Sequence, residues 1–205
     1  MADSHYLPVM LDLRKKKILL VGGGEIACEK LSRLVDCTDD ITIVATECSP
    51  KMEEYIRANG FSAYRRVFEE SDLEGMDIVI AAVDSLQLQA EIFEKASQRK
   101  ILCNAVDLPS YCHFIFPSII RRDDLVIAIS TSGASPAIAK HMKRFIDNLI
   151  PSDIGSFLTM MRERRKELPK GKERMRYLDQ LASEYMSGAA QCALQRLREV
   201  FSKSP

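Results

Sequence analysis

The chain of 205 residues is 46% hydrophobic and 28% charged, so it has room for one large domain, or a medium one with a smaller companion, around a real core. Its 29 basic and 29 acidic residues cancel, which excludes a global field drawing it toward nucleic acid or an anionic membrane. The longest apolar runs are far too short to span a bilayer.

At the N-terminus the positive charge follows the apolar stretch, the wrong order for a secretory signal. The six cysteines (Cys28, Cys37, Cys48, Cys103, Cys112, Cys192) form no CxxC pair, so buried reduced thiols are expected rather than a disulfide framework or a metal site. A cytoplasmic setting with no membrane or nucleic-acid partner follows.

In chain order, "KILLV" (17–21) reads as a buried strand, residues 25–35 as a helix and "ITIVA" (41–45) as the next strand. Ser49 and Pro50 supply an N-cap and a first-turn proline, and Gly60 closes that helix. Residues 61–67 alternate as a more exposed strand. "DIVIAAV" (77–83) is continuously apolar, as a strand covered on both faces should be. A helix over 85–98 and a strand over 101–107 complete a Rossmann-like α/β pattern, a parallel sheet with helices on both faces, over residues 1–112.

After Pro109 the pattern changes. "FIFPSIIRRDDLVIAIST" holds two strands joined by a charged turn, and Pro117 favours an edge position for the first. Ser135 and Pro136 then open a helix that Pro151 ends, making residues 113–151 a small α+β segment. From 152 to 205 only helical signals remain, interrupted by "LPKGKE", and they predict a separate pair of helices.

Gly22-x-Gly24-x-x-Ala27 between a strand and a helix is the phosphate-binding turn of a dinucleotide fold. Gly22 permits the tight turn, Gly24 lets backbone approach a pyrophosphate, and Ala27 keeps helix and strand close, with Gly23 between. A bare glycine-rich turn that binds nothing is the alternative; its place after the first strand favours nucleotide binding. Glu47, with Thr46, ends the second strand without an adjacent arginine, which leans toward NAD over NADP, although a solvated loop acid would look the same. Val83 and Asp84 should line the same crevice past the fourth strand.

Fold alone says little about chemistry. None of the six tyrosines has a lysine four residues on, so the Tyr-x-x-x-Lys pair of the short-chain dehydrogenases is absent. Asp107, where the fifth strand ends, is placed to accept a proton while hydride leaves for NAD, or else to cap an Asp-x-Pro turn.

"YLPVMLDLRKKKILLVGGGEIACEK", "CNAVDLPSYCHFIFPSIIRR" and "LVIAISTSGASPAIAKHMKR" together closely resemble the precorrin-2 dehydrogenase / sirohydrochlorin ferrochelatase family, the siroheme synthase enzymes found alone or fused to a methyltransferase. The resemblance runs over residues 6–151. It implies NAD-dependent oxidation of precorrin-2 to sirohydrochlorin and, in some members, insertion of ferrous iron to give siroheme. It also implies an intertwined homodimer built from the 113–151 segment.

By position it puts the essential aspartate on Asp107 and cofactor contacts on Gly22, Gly24, Glu25, Ile26, Thr46 and Glu47. A phosphorylatable serine of some fused members falls on Thr131. His113 stands where many relatives carry an acid; it is a candidate for proton or iron handling, or a structural histidine.

A substrate rich in carboxylates needs donors and positive charge. The turn holding Thr131, Ser132, Gly133 and Ser135 offers hydroxyls and helix N-terminal amides, and is also a sufficient helix cap. Arg121 and Arg122 are candidate partners; the "RERRK" run (162–166) reads first as a solvated helix face. No set of His, Cys and carboxylates forms an iron cage, so the expected metal-ligand set is empty. The competing class is an NAD-binding redox-sensing regulator without catalysis. A dehydrogenase for another small substrate would need an acid–base pair that the sequence lacks.

Overall fold

The computed structural model describes residues 6–202, with side chains as far as residue 191; the side chain of Cys192 lies outside the described set. The chain divides into two compact units after Phe116.

The first unit is a parallel sheet of β1 (Ile18–Val21), β2 (Ile41–Val44), β3 (Ser62–Tyr64), β4 (Ile78–Ala81) and β5 (Leu102–Ala105), ordered β3-β2-β1-β4-β5. That is the doubly wound order, with the chain reversing direction across the sheet between β1 and β4. Helices α1 (Glu25–Leu34) and α2 (Pro50–Asn59) cover one face and α3 (Leu86–Gln98) the other.

Side-chain alternation divides the core between these faces. Ile18, Leu20, Ile43, Ile78 and Ile80 pack with Ala27, Leu31 and Met52. Leu19, Val21, Val79 and Ala81 pack with Leu73, Ile92 and Ala96. Every residue of β1 and β4 is buried, which explains why both read as unbroken apolar runs. The predicted caps of α2 are present: Ser49 Oγ accepts the Met52 N–H at 3.3 Å, and Gly60 ends the helix at φ 68°.

β3 is shorter than the 61–67 expected from alternation. Beyond Tyr64 the chain is drawn into a turn by Arg66, whose guanidinium bonds both carboxylate oxygens of Asp72 at 2.6 and 2.8 Å. Asp72 also accepts the Glu69 N–H at 2.8 Å. The Arg66 hydrogen bonds hold the largely buried Asp72 carboxyl below its usual range, against the cost of its own burial. A depressed folded-state pKa stabilises the protein above the unfolded value near 3.9, and that stability is lost as pH falls through the folded value. Asp72→Asn should therefore cost about 1–2 kcal/mol at pH 7. The gap to wild type should narrow below pH ~4 in denaturant titrations.

β5 would be a bare sheet edge, but the chain doubles back along it. The His113 N–H donates to the Cys103 carbonyl at 2.8 Å, and Asn104 and Cys112 form an isolated antiparallel bridge. Tyr111 and His113 meet Phe93 on the α3 side, while Phe114 and Phe116 join the core beneath α1 and α2.

In the second unit β6 (Ser118–Arg122) and β7 (Leu125–Ile129) form an antiparallel hairpin, with Pro117 just before β6 rather than inside it. Helices α4 (Pro136–Leu149), α5 (Ile154–Glu167) and α6 (Lys172–Ser202) follow. Ser135 Oγ caps α4 by accepting the Ile138 N–H at 3.2 Å.

Candidate functional site

The three glycines differ in what they do. Gly22 has φ 124°, its N–H donates to the Val44 carbonyl at 2.9 Å, and a Cβ there would stand 2.1 Å from the Ala82 carbonyl oxygen. Gly22 is the point where the exits of β1, β2 and β4 are pressed together. At Gly23 a Cβ would meet the Glu47 carbonyl oxygen at 2.0 Å, and the Gly23 carbonyl accepts the Ser49 N–H at 2.8 Å. A Cβ at Gly24 would meet nothing within 4 Å. Gly24 is the N-cap of α1 and offers no side-chain cap, so the first-turn amides receive no cap from it. The combination is a clamped loop delivering an uncapped helix N-terminus, which fits a pyrophosphate.

Around this turn the sheet gathers most of the expected cofactor positions. Glu25 and the 46% exposed Ile26 open α1. Thr46 and Glu47 are exposed, with the Glu47 backbone against Gly23. Val83 and the exposed Asp84 leave β4, and the Val83 carbonyl is held by Gln89 Nε2 at 2.6 Å. Gln89 was not legible from sequence; it is 4% exposed, and its Oε1 has no hydrogen-bond partner among the described residues. Arg65, delivered by the neighbouring strand, lies within electrostatic reach of Cys48, but its guanidinium is paired with Glu53 at 2.7 Å.

Asp107 lies just past β5. Its backbone is left-handed at φ 63°, a conformation an aspartate tolerates but does not favour. The turn is closed by Leu108 N–H to the Ala105 carbonyl at 3.3 Å and Tyr111 N–H to the Leu108 carbonyl at 2.9 Å, and the Cys112 thiol donates to the same two carbonyls at 3.1 and 3.4 Å. The exposed Asp107 carboxylate accepts no hydrogen bond among the described residues, so it caps nothing.

His113 is not brought to Asp107. It pairs with the middle of β5, where Nδ1 accepts the Cys103 N–H at 3.0 Å and Nε2 lies 3.3 Å from Ser97 Oγ. Its ring stacks on Phe93 at 4.8 Å. These contacts are those of a packing and edge-pairing residue.

The residues expected to meet substrate carboxylates belong to the second unit. Thr131 Oγ1 accepts the Ser135 N–H at 3.0 Å and donates to the Ser135 carbonyl at 3.1 Å, so the Thr131 and Ser135 hydroxyls already close this turn. Ser132 and Gly133 are left-handed, at φ 52° and 86°. Arg121 is exposed on β6, Arg122 pairs with Asp147 at 2.8 Å, and in the "RERRK" run Arg162 pairs with Asp124.

Among the described residues no group of three or more His, Cys, Asp or Glu could hold a metal ion, and no helix is long and apolar enough to cross a membrane. Cys28, Cys37, Cys48, Cys103 and Cys112 are free thiols, and burial pushes Cys103 up to about 12.

A family model described as "Putative NAD(P)-binding" matches residues 9–118, more than half of the chain. The chain belongs to that NAD(P)-binding family. A second model, described as sirohaem biosynthesis protein central, matches residues 122–149. The siroheme synthase of Sodalis glossinidius (strain morsitans) is 40% identical over 151 residues, which is 74% of this chain and 32% of that protein. The siroheme synthase of Methylococcus capsulatus (strain ATCC 33009 / NCIMB 11132 / Bath) is 36% identical over 194 residues, 93% of this chain and 40% of that protein. The chain thus spans between 32% and 40% of the length of these curated relatives. A solved structure of SirC, precorrin-2 dehydrogenase, superposes with a TM-score of 0.75 at 24% identity, covering 95% of this chain and all of that one. That likeness establishes the Rossmann-like fold with its helical C-terminal region.

Proposed function

We propose that this chain oxidises precorrin-2 to sirohydrochlorin with NAD, in the cytoplasm, as a step of siroheme biosynthesis. The observation that carries this reading is the unbonded, left-handed Asp107 carboxylate on the same sheet edge as the clamped glycine turn. Two strand spacings, about 10 Å, separate the ends of β1 and β5. Gly24 and the first-turn amides of α1 bind the pyrophosphate, and Glu47 meets the adenosine ribose. NAD, when bound there, supplies the hydride acceptor. Asp107 takes the proton that leaves the macrocycle; its carboxylate accepts no hydrogen bond among the described residues, so both oxygens are available to substrate.

Iron insertion, the second activity implied by the sequence resemblance, uses ferrous iron as substrate. The macrocycle's own nitrogens receive the ion and Asp107 is the base for the pyrrole protons. The exposed loop bearing Ser132 and Gly133, together with Arg121, is our choice for binding substrate carboxylates. His113 is left out of the chemistry because both ring nitrogens are engaged.

The decisive measurement is optical. Purified protein, NAD and precorrin-2 should yield the spectrum of the more conjugated product. NAD binding without any turnover would sink this reading in favour of a redox-sensing regulator.

We further infer a homodimer through the second unit. Among its described residues only Ile120, Ala139 and Ile154 are buried apolar residues, too thin a core for a free-standing hairpin and helices. Meanwhile Ile138, Met142 and Phe145, spaced along one face of α4, are 43–54% exposed. Sedimentation at micromolar concentration should give a dimer, and Phe145→Glu should shift it to monomer. A monomeric wild type would refute the assembly.

A further inference from the structure

Lys30 stands apart from the other cations of the first unit. It lies one helical turn beyond Ile26 on α1, about 6 Å along the axis from the opening turn. Its neighbour Arg33 is paired with Glu29, and elsewhere in the unit Lys16 is paired with Asp77 at 2.8 Å and Lys95 with Glu70. No carboxylate or carbonyl among the described residues takes a hydrogen bond from Lys30 Nζ, although the side chain is half-buried.

Instead its ammonium stands 5.3 Å from the centre of the Phe116 ring, which Arg33 also approaches at 6.0 Å. Phe116 is braced edge-on by Phe114 at 5.5 Å. Burial pushes the Lys30 pKa below the ordinary lysine value, with Arg33 acting in the same direction. Glu29, Asp107 and Cys112 act against it. Asp107 is therefore within electrostatic reach of this amine, at the carboxyl end of the sheet.

A partly desolvated ammonium that donates to no group among the described residues has the chemistry of an anion-binding group. The pyrophosphate is provided for one turn earlier by the amides of α1, so the ammonium of Lys30 over Phe116 suits a second anion, on the Asp107 side. We propose that Lys30 binds a carboxylate of the tetrapyrrole beside Asp107 and so selects acidic macrocycles. This rests on the dehydrogenase reading above. The bland alternative is a lysine stem packed on Phe116 with its head merely stacked there.

Lys30→Met retains the stem and the apolar packing but removes the charge; Lys30→Arg retains the charge. In the full chain, Lys30→Met should raise the Kd for sirohydrochlorin, read by absorbance, and the KM for precorrin-2 by roughly tenfold or more, the scale of one charged hydrogen bond. Its NAD affinity and thermal midpoint should stay at wild-type values, and Lys30→Arg should recover most of the loss. Unchanged sirohydrochlorin affinity in Lys30→Met would overturn the proposal, and so would a loss confined to NAD affinity, which would make Lys30 a pyrophosphate ligand. If the wild type binds sirohydrochlorin with this Lys30 dependence yet never oxidises precorrin-2, the dehydrogenase reading fails while the carboxylate site stands. If it binds no sirohydrochlorin, both fall.

Discussion

Asp107→Asn should fold, dimerise and bind NAD as the wild type does, yet oxidise precorrin-2 roughly a hundredfold or more slowly, the scale of a positioned acid–base group. Asparagine tolerates the left-handed backbone at φ 63° about as well as aspartate, so the variant removes basicity with little backbone penalty. Asp107→Ala is the blunter test, because a β-carbon without a polar head costs about 1 kcal/mol in that conformation. Asp107→Gly accepts the conformation freely and should be as stable as wild type while just as slow. The carboxylate accepts no hydrogen bond among the described residues, so none of these variants should lose stability through a broken cap. Thermal midpoint and initial rate measured on one preparation separate the roles. A normal rate in folded Asp107→Asn would end the case for a proton acceptor, and partial rescue relative to Ala would leave an orienting role.

The second large effect contrasts two glycines. Gly24→Asp places its side chain in open space, at an N-cap where aspartate is favoured over glycine by a few tenths of about 1 kcal/mol. The protein should be as stable as wild type or slightly more so. The new carboxylate nevertheless occupies the amides meant for the pyrophosphate and repels it. Losing two charge-assisted hydrogen bonds weakens NAD by on the order of a hundredfold or more. Calorimetric titration with NAD reads this directly, and unaltered affinity would remove the pyrophosphate from this turn.

Gly22→Asp is expected to fail differently. A Cβ at Gly22 collides with the Ala82 carbonyl oxygen at 2.1 Å and the backbone sits at φ 124°. That variant should lose the fold itself, so any loss of NAD binding in it says nothing about the pyrophosphate.

Sequence alone determined whatever depends on near neighbours. Continuous apolar runs marked β1 and β4 as strands covered on both faces, because burial on both sides leaves no polar position. Ser49, Pro50 and Gly60 marked the ends of α2, because caps act within one turn. The glycine turn and Asp107 were legible as residues at strand exits.

Tertiary structure alone decided what each of them touches. Gly22 needs its hydrogen side because Ala82 approaches from β4, and Gly23 because Glu47 approaches from β2. His113 turned out to be engaged by Cys103 and Ser97, and Lys30 to lie over Phe116 with Asp107 in reach. These contacts join residues ten to eighty-six positions apart. They exist only once the strand order β3-β2-β1-β4-β5 brings distant segments to one edge, and no periodicity of three or four residues encodes that order.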